Sequence, residues 1–229
     1  MKYAKVVQGR FLERPNRFVA HVEIEGQTEK CHVKNTGRCR ELLVPGRKVW
    51  LEKSDNPNRR TAWDLIAVNK EGNMINMDSQ APNKAVREWL ENGSLFPDAA
   101  CIRPEYRYGS SRIDFYAETK GKQSQKILIE VKGVTLEEDG IARFPDAPTE
   151  RGIKHMLELE QALQEGYQSY LFFVIQMKGI QWFEPNDLTH PQFGETLRRV
   201  EKSGVKVLAY DCRVTEREMT IDMPVEVRL

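Results

Sequence analysis

The chain has 229 residues, 40% hydrophobic and 30% charged, which supplies a core without disulfide or metal staples and excludes a disordered or fibrous chain. The formal net charge of +1 is unevenly spread: residues 1–80 hold 15 Lys and Arg against 10 Asp and Glu, a net of +5, leaving 20 against 24, a net of −4, for the remainder. A basic front suits a polyanion, and an acidic remainder can hold a cation.

The opening residues, MKYAKVVQGRFLERPNRF, fit neither a signal peptide nor a transit peptide. The longest apolar run, YLFFVI at 170–175, is far too short to span a bilayer. A cytoplasmic protein without membrane contact is expected. Cys31, Cys39, Cys101 and Cys212 contain no CxxC pair, and Cys31, His32 and Cys39 lack a fourth zinc ligand. Free thiols in a reducing compartment are the expectation.

The first third reads as short β-like runs, AKVVQGRF, RFVAHVEI, EKCHVK, RKVWLEK, WDLIAVN and NMINMD. They are separated by Gly-, Pro-, Asn- or Asp-rich connections such as ERPN, NTGR and SDNPNRR. Strands at this spacing predict a small closed or nearly closed barrel of the OB type over residues 1–80.

The polar stretch DSQAPN at 78–83 marks a boundary. Beyond it, over residues 81–229, come a helix (KAVREWLENG) and three strands (RPEYRYG, SRIDFYAE, KILIEVK). A helix over 149–164, the strand SYLFFVIQM, a helix over 191–202 and the strand VKVLAYD follow. The order is αβββαβ with additions, a mixed α/β (α+β) domain whose sheet carries helices on both faces.

Two charges interrupt the apolar strand ILIEVKGV at 127–134. Side chains alternate faces along a strand, so Glu130 and Lys132 share one face while Ile129 and Val131 share the other. The preceding strand carries Asp114, and the turn-like KGKQSQ between them allows a hairpin that brings Asp114 beside Glu130. Two carboxylates side by side repel unless something positive stands between them. Mg²⁺ or Mn²⁺ resolves this: Asp114, Glu130, the carbonyl of Val131 and Glu88 of the first helix are the candidate metal ligands, and Lys132 acts on attacking water or neutralises phosphate. The alternative is a simple Glu130–Lys132 ion pair on the sheet surface. An acid on one strand, ExK on the next and αβββαβ around both resembles the core of the PD-(D/E)XK nuclease superfamily. The catalytic candidates are Asp114, Glu130 and Lys132. Pro145-Asp146 falls after ExK and is not the superfamily's PD; Ile113 stands where that proline would be.

The basic residues of the first domain cluster in its turns. Arg14, Arg17, Lys34, Arg38, Arg40, Arg59 and Arg60 are candidate phosphate contacts, while the interleaved Phe11, Phe18, Trp50 and Trp63 are expected mostly to fill the barrel. On the helix over 149–164, Arg151, Lys154, His155 and Glu158 recur at i, i+3, i+4 and i+7, a polar stripe that either faces the metal site or is solvated. Arg151, Lys154 and His155 join the nucleic-acid candidates; for His155, base, phosphate contact and core residue stay open.

Several motifs in fixed order extend the resemblance. Asn35-Thr36-Gly37, Tyr108-Gly109, Ser111-Arg112-Ile113-Asp114-Phe115, Glu130-Val131-Lys132, Phe144-Pro145-Asp146-Ala147 and Thr149-Glu150-Arg151-Gly152 with His155 resemble the sugar fermentation stimulation protein (SfsA) family across nearly the whole chain. The resemblance implies an OB-like domain, a nuclease-like domain, DNA binding and a regulatory link to sugar metabolism. Two functions follow: a Mg²⁺- or Mn²⁺-dependent nuclease, or a DNA-binding regulator that keeps a nuclease fold without turnover. Oligomeric state is not written in the sequence.

Overall fold

The computed structural model describes residues 1–35, 37–121 and 124–229. Thr36 of the Asn35-Thr36-Gly37 motif, and Lys122 and Gln123 of the KGKQSQ connection, lie outside the described residues.

Six strands open the chain: β1 (Val6–Asn16), β2 (Val19–Ile24), β3 (Gln27–Val33), β4 (Lys48–Lys53), β5 (Trp63–Lys70) and β6 (Asn73–Asn76). The two-residue turns Glu25-Gly26 and Glu71-Gly72 have positive φ throughout, 52° and 80° in the first, 54° and 95° in the second. That is the twist which lets a tight hairpin follow the strands it joins. The antiparallel order β3-β2-β1-β4-β5 closes through a parallel β3–β5 pairing, Cys31 opposite Trp63 to Val33 opposite Leu65, giving the five-stranded OB barrel, and β6 extends β5. Alternation turns Phe11, Val22, Val33, Val49, Leu51 and Leu65 inward, where all are buried.

The second half is α+β. Its elements are α1 (Ala81–Glu91), β7 (Ala99–Tyr108), β8 (Ser111–Thr119), β9 (Lys126–Val134), β10 (Leu136–Glu138), β11 (Ile141–Phe144), α2 (Glu150–Gln164), β12 (Tyr167–Ile175), β13 (Trp182–Pro185), α3 (Pro191–Lys202), β14 (Lys206–Val214), β15 (Met219–Pro224) and β16 (Glu226–Val227). The main sheet runs β15-β14-β12-β9-β8-β7, with β9, β12 and β14 parallel. Central parallel strands are covered on both faces. This explains why Tyr170–Ile175 is continuously apolar and wholly buried.

On one face α1 packs Ala85, Val86 and Leu90 onto Ile127, Ile129 and Val131. On the other, α2 presents Ile153, Met156, Leu159 and Ala162 at helical spacing, and α3 adds Phe193, Leu197 and Val200. The Thr149 side chain caps α2 by accepting the Gly152 N–H at 3.1 Å. The sheet β10-β11-β13-β16 was not expected from the sequence; its strands of two to four residues are too short to show a period. The α2-side apolar cluster continues into the barrel interior.

Candidate metal centre and nucleic-acid interface

The β8–β9 ladder ends at the rung Phe115–Ile129. One step further stand Asp114 and Glu130, which on opposed strands project to the same face. Past that rung, the Val131 N–H goes to a side chain: Asp114 Oδ2 accepts it at 2.8 Å. Asp114 Oδ1 accepts the Asn83 amide from α1 at 2.7 Å.

Glu130 is 2% exposed. Its Oε1 accepts the Lys132 ammonium at 2.6 Å and the Nδ1–H of His155. His155 Nε2 in turn accepts Arg151 Nε at 3.3 Å, so both ring nitrogens are engaged. Glu130 Oε2 is buried and has no partner among the described residues.

The two carboxyls are pushed in opposite directions. For Glu130, burial works to raise the pKa, but the His155 hydrogen bond and the Lys132 charge outweigh it and hold the group below its usual range. For Asp114, burial and then the Glu130 charge push the pKa up to about 6, against the Val131 N–H and the Asn83 amide.

A divalent cation fits this arrangement. An unpartnered, buried carboxylate oxygen lies beside a second carboxyl whose ionisation the protein resists, and a cation relieves both. Among the described residues no three His, Cys, Asp or Glu side chains converge as a full cage. Mg²⁺-type sites need one or two carboxylates, the rest being water and phosphate oxygens. Asp114 and His155 open onto a pocket of about 710 Å³ whose wall includes Ser111, Arg112, Arg151 and Lys154. The polar stripe of α2 therefore divides: Arg151 and Lys154 are exposed along the pocket, and His155 is buried against Glu130.

Glu88 does not belong to the cluster. Its carboxylate takes the Met1 ammonium at 2.6 Å, and helical phase explains why: five residues from Asn83, it lies about 140° around α1. Asn83, which sequence reasoning missed, is the α1 residue that reaches Asp114. Val131 is at the site, where its N–H already donates to Asp114.

The basic candidates also separate. Arg14 is a strut, with Nη1 donating to the carbonyls of Gly37 (3.0 Å) and Arg38 (2.7 Å) and Nη2 to those of Arg17 (2.7 Å) and Asn35 (2.8 Å). Arg59 forks onto Asp64 at 2.6 and 2.8 Å, and Lys34 is held between Asp64 and Asp78, 3.3 Å from each. These three are committed inside the fold, whereas Arg17, Arg38, Arg40 and Arg60 are exposed. Asp146 is a second residue the sequence reading passed over. Its carboxylate accepts the Arg38 N–H at 3.2 Å and ties the β3–β4 connection to the segment leading into α2.

Two family models cover the chain, the SfsA N-terminal OB domain over residues 12–77 and the sugar fermentation stimulation protein RE domain over residues 80–218. The chain belongs to the sugar fermentation stimulation protein (SfsA) family. Family members called sugar fermentation stimulation protein homologs, from Ruminiclostridium cellulolyticum and Clostridium beijerinckii, are 57% and 55% identical to it, with all of both chains covered in each case. The solved structure of Pyrococcus furiosus SfsA in complex with Ca²⁺ matches at a TM-score of 0.89 and 26% identity, covering 100% of this chain and 98% of that one. Among the described residues no helix is long and apolar enough to cross a membrane.

Proposed function

We propose that this SfsA-family chain binds DNA through its barrel, residues 1–80, and hydrolyses phosphodiester bonds in residues 81–229 with the help of Mg²⁺ or Mn²⁺. The observation that carries this reading is the buried, unpartnered Oε2 of Glu130 beside Asp114. Asp114, Glu130 and the Val131 carbonyl would hold the ion, and Ca²⁺ in the Pyrococcus furiosus relative supports a divalent class. Bound there, the ion supplies Lewis-acid polarisation of a phosphodiester oxygen.

The chain's own residues do the rest. Asn83 and the Val131 N–H fix the Asp114 carboxylate. His155 fixes Glu130. Arg112, Arg151 and Lys154 line the pocket and receive phosphate oxygens, while the Lys132 ammonium, 2.6 Å from Glu130, stabilises negative charge on the phosphoryl group. Arg17, Arg38, Arg40 and Arg60 engage backbone phosphates further along the strand.

Incubation of the purified protein with plasmid and with single-stranded DNA in Mg²⁺ or Mn²⁺ tests this. Cleavage is expected in the native protein and absent in Glu130→Ala; cleavage that persists in Glu130→Ala contradicts it. The Lys132–Glu130 pair already balances the Glu130 charge, which favours a second reading, a non-catalytic DNA-binding regulator of sugar metabolism. DNA that stays intact with the cation, together with salt-dependent binding, selects that reading.

A further inference from the structure

A second pocket, of about 680 Å³, opens on the barrel. Phe11, Cys39, Leu43 and Ala147 give it apolar walls, and Arg17, Arg38 and Arg40 stand around it. Phe11, Cys39 and Leu43 are buried, whereas the three arginines are exposed and have no ion-pair partner among the described residues. Its volume lies within the roughly 300–1,000 Å³ of sites that enclose small molecules. Glu13 also lines the pocket, its carboxylate engaged by His21 at 2.7 Å. An apolar slot with three such guanidinium groups and this one engaged carboxylate around it matches a flat, uncharged ring carried on an anionic backbone.

Its position relative to the carboxylate pair makes the match more specific. Ala147 lines this pocket and Glu150 lines the one beside Asp114. Three extended residues span at most about 11 Å, so both pockets lie within reach of neighbouring nucleotides of one strand. The two pockets are held in register by Asp146, which accepts the Arg38 N–H at 3.2 Å from the same short segment. Arg14 holds the β1–β2 turn and the β3–β4 connection together by donating to the carbonyls of Arg17, Asn35, Gly37 and Arg38.

We propose that the Arg17–Arg38–Arg40 pocket receives one unpaired nucleobase of the strand whose phosphate lies at Asp114 and Glu130, so that the substrate is single-stranded or locally opened DNA. This rests on the DNA-binding reading above and adds a substrate class to it. A base stacked and paired within a regular duplex cannot enter such a slot; a free one can, with its flanking phosphates on the arginines.

The test is an abasic scan. Strands of about 16 nucleotides, each with one abasic position, are titrated with the whole protein in EDTA so that no divalent cation supports cleavage. The intact strand is expected to bind about tenfold or more tightly than its duplex. One or two abasic positions are expected to lose about fivefold to a hundredfold, the range set by one base leaving its site. Ala147→Trp, which fills the slot, should abolish that positional dependence while salt-dependent binding remains. Equal affinity at every abasic position in the native protein, with strand binding intact, overturns the base pocket and leaves DNA binding standing. No binding to any strand or duplex at low salt overturns both.

Discussion

Asp114 Oδ2 accepts the Val131 N–H at 2.8 Å, one step past the last rung of the β8–β9 ladder. A side chain thus continues the hydrogen bonding of a sheet whose backbone pairing has stopped. The carboxylate is held beside Glu130 by the same geometry that ends the strands, and α1 supplies the second restraint through Asn83.

This placement sets a pH dependence. Asp114 moves from 3.8 to about 6 on folding. Between those values the unfolded chain has released the proton while the folded chain keeps it, so this group lowers stability as pH rises from about 4 to about 6, and the loss is constant above that. Urea unfolding in EDTA should show Asp114→Asn gaining about 2–3 kcal/mol relative to the native protein between pH about 4 and pH about 8. A difference that does not change with pH would show that Asp114 is not perturbed.

In the proposed metal centre His155 acts through Glu130, as a positioning residue. Its Nδ1–H reaches Oε1, and Arg151 caps its other nitrogen. Replacement by Phe keeps the bulk in the core and removes the restraint. His155→Phe should weaken Mn²⁺ binding by about 10–100-fold, read by calorimetry. A merely structural role would lower the melting temperature and leave the affinity of the folded protein unchanged.

The barrel's basic residues should divide into two groups under mutation. Lys34→Met and Arg59→Ala each remove one of the partners that, with His32, hold Asp64, whose pKa is driven down to about 2 by the Arg59 hydrogen bonds and the Lys34 charge against the burial that would raise it. Breaking a buried pair by removing one member costs about 3–5 kcal/mol, so these two should lose stability. Arg40→Ala and Arg60→Ala should melt normally and weaken DNA binding, each reducing the slope of log affinity against log salt by about 1. Fluorescence anisotropy across a salt series, with thermal melts alongside, separates the groups; equal effects from all four variants would oppose the division.

Much of this was legible in the chain because the informative patterns are local. Glu130 and Lys132 two apart in an apolar strand, a hairpin back to Asp114, and six short runs broken by turn residues all depend on neighbours in sequence. What escaped depends on partners far away. Lys34 reads as a loop cation because Asp64 and Asp78, which hold it, come beside it only when β3 and β5 close the barrel; Arg59 is the exception, its partner Asp64 lying five residues away, where only the conformation of the loop brings the two together. Charge alone points to Glu88, whereas helical phase decides which α1 side chain meets the sheet end, and that residue is Asn83. Asp146 sat in a PD dipeptide that had no place in the nuclease order, and its contact with Arg38 spans 108 residues of chain.

The proposed metal centre requires Asp114 and Glu130 to share one divalent cation. Titration calorimetry of Mn²⁺ into the native protein, Asp114→Asn and Glu130→Gln, at a pH above about 6 where Asp114 is ionised, tests it most directly. One ion per native chain, and no measurable heat of binding in either variant while circular dichroism shows both folded, is the predicted result. Mn²⁺ binding of undiminished affinity in either folded variant would contradict it.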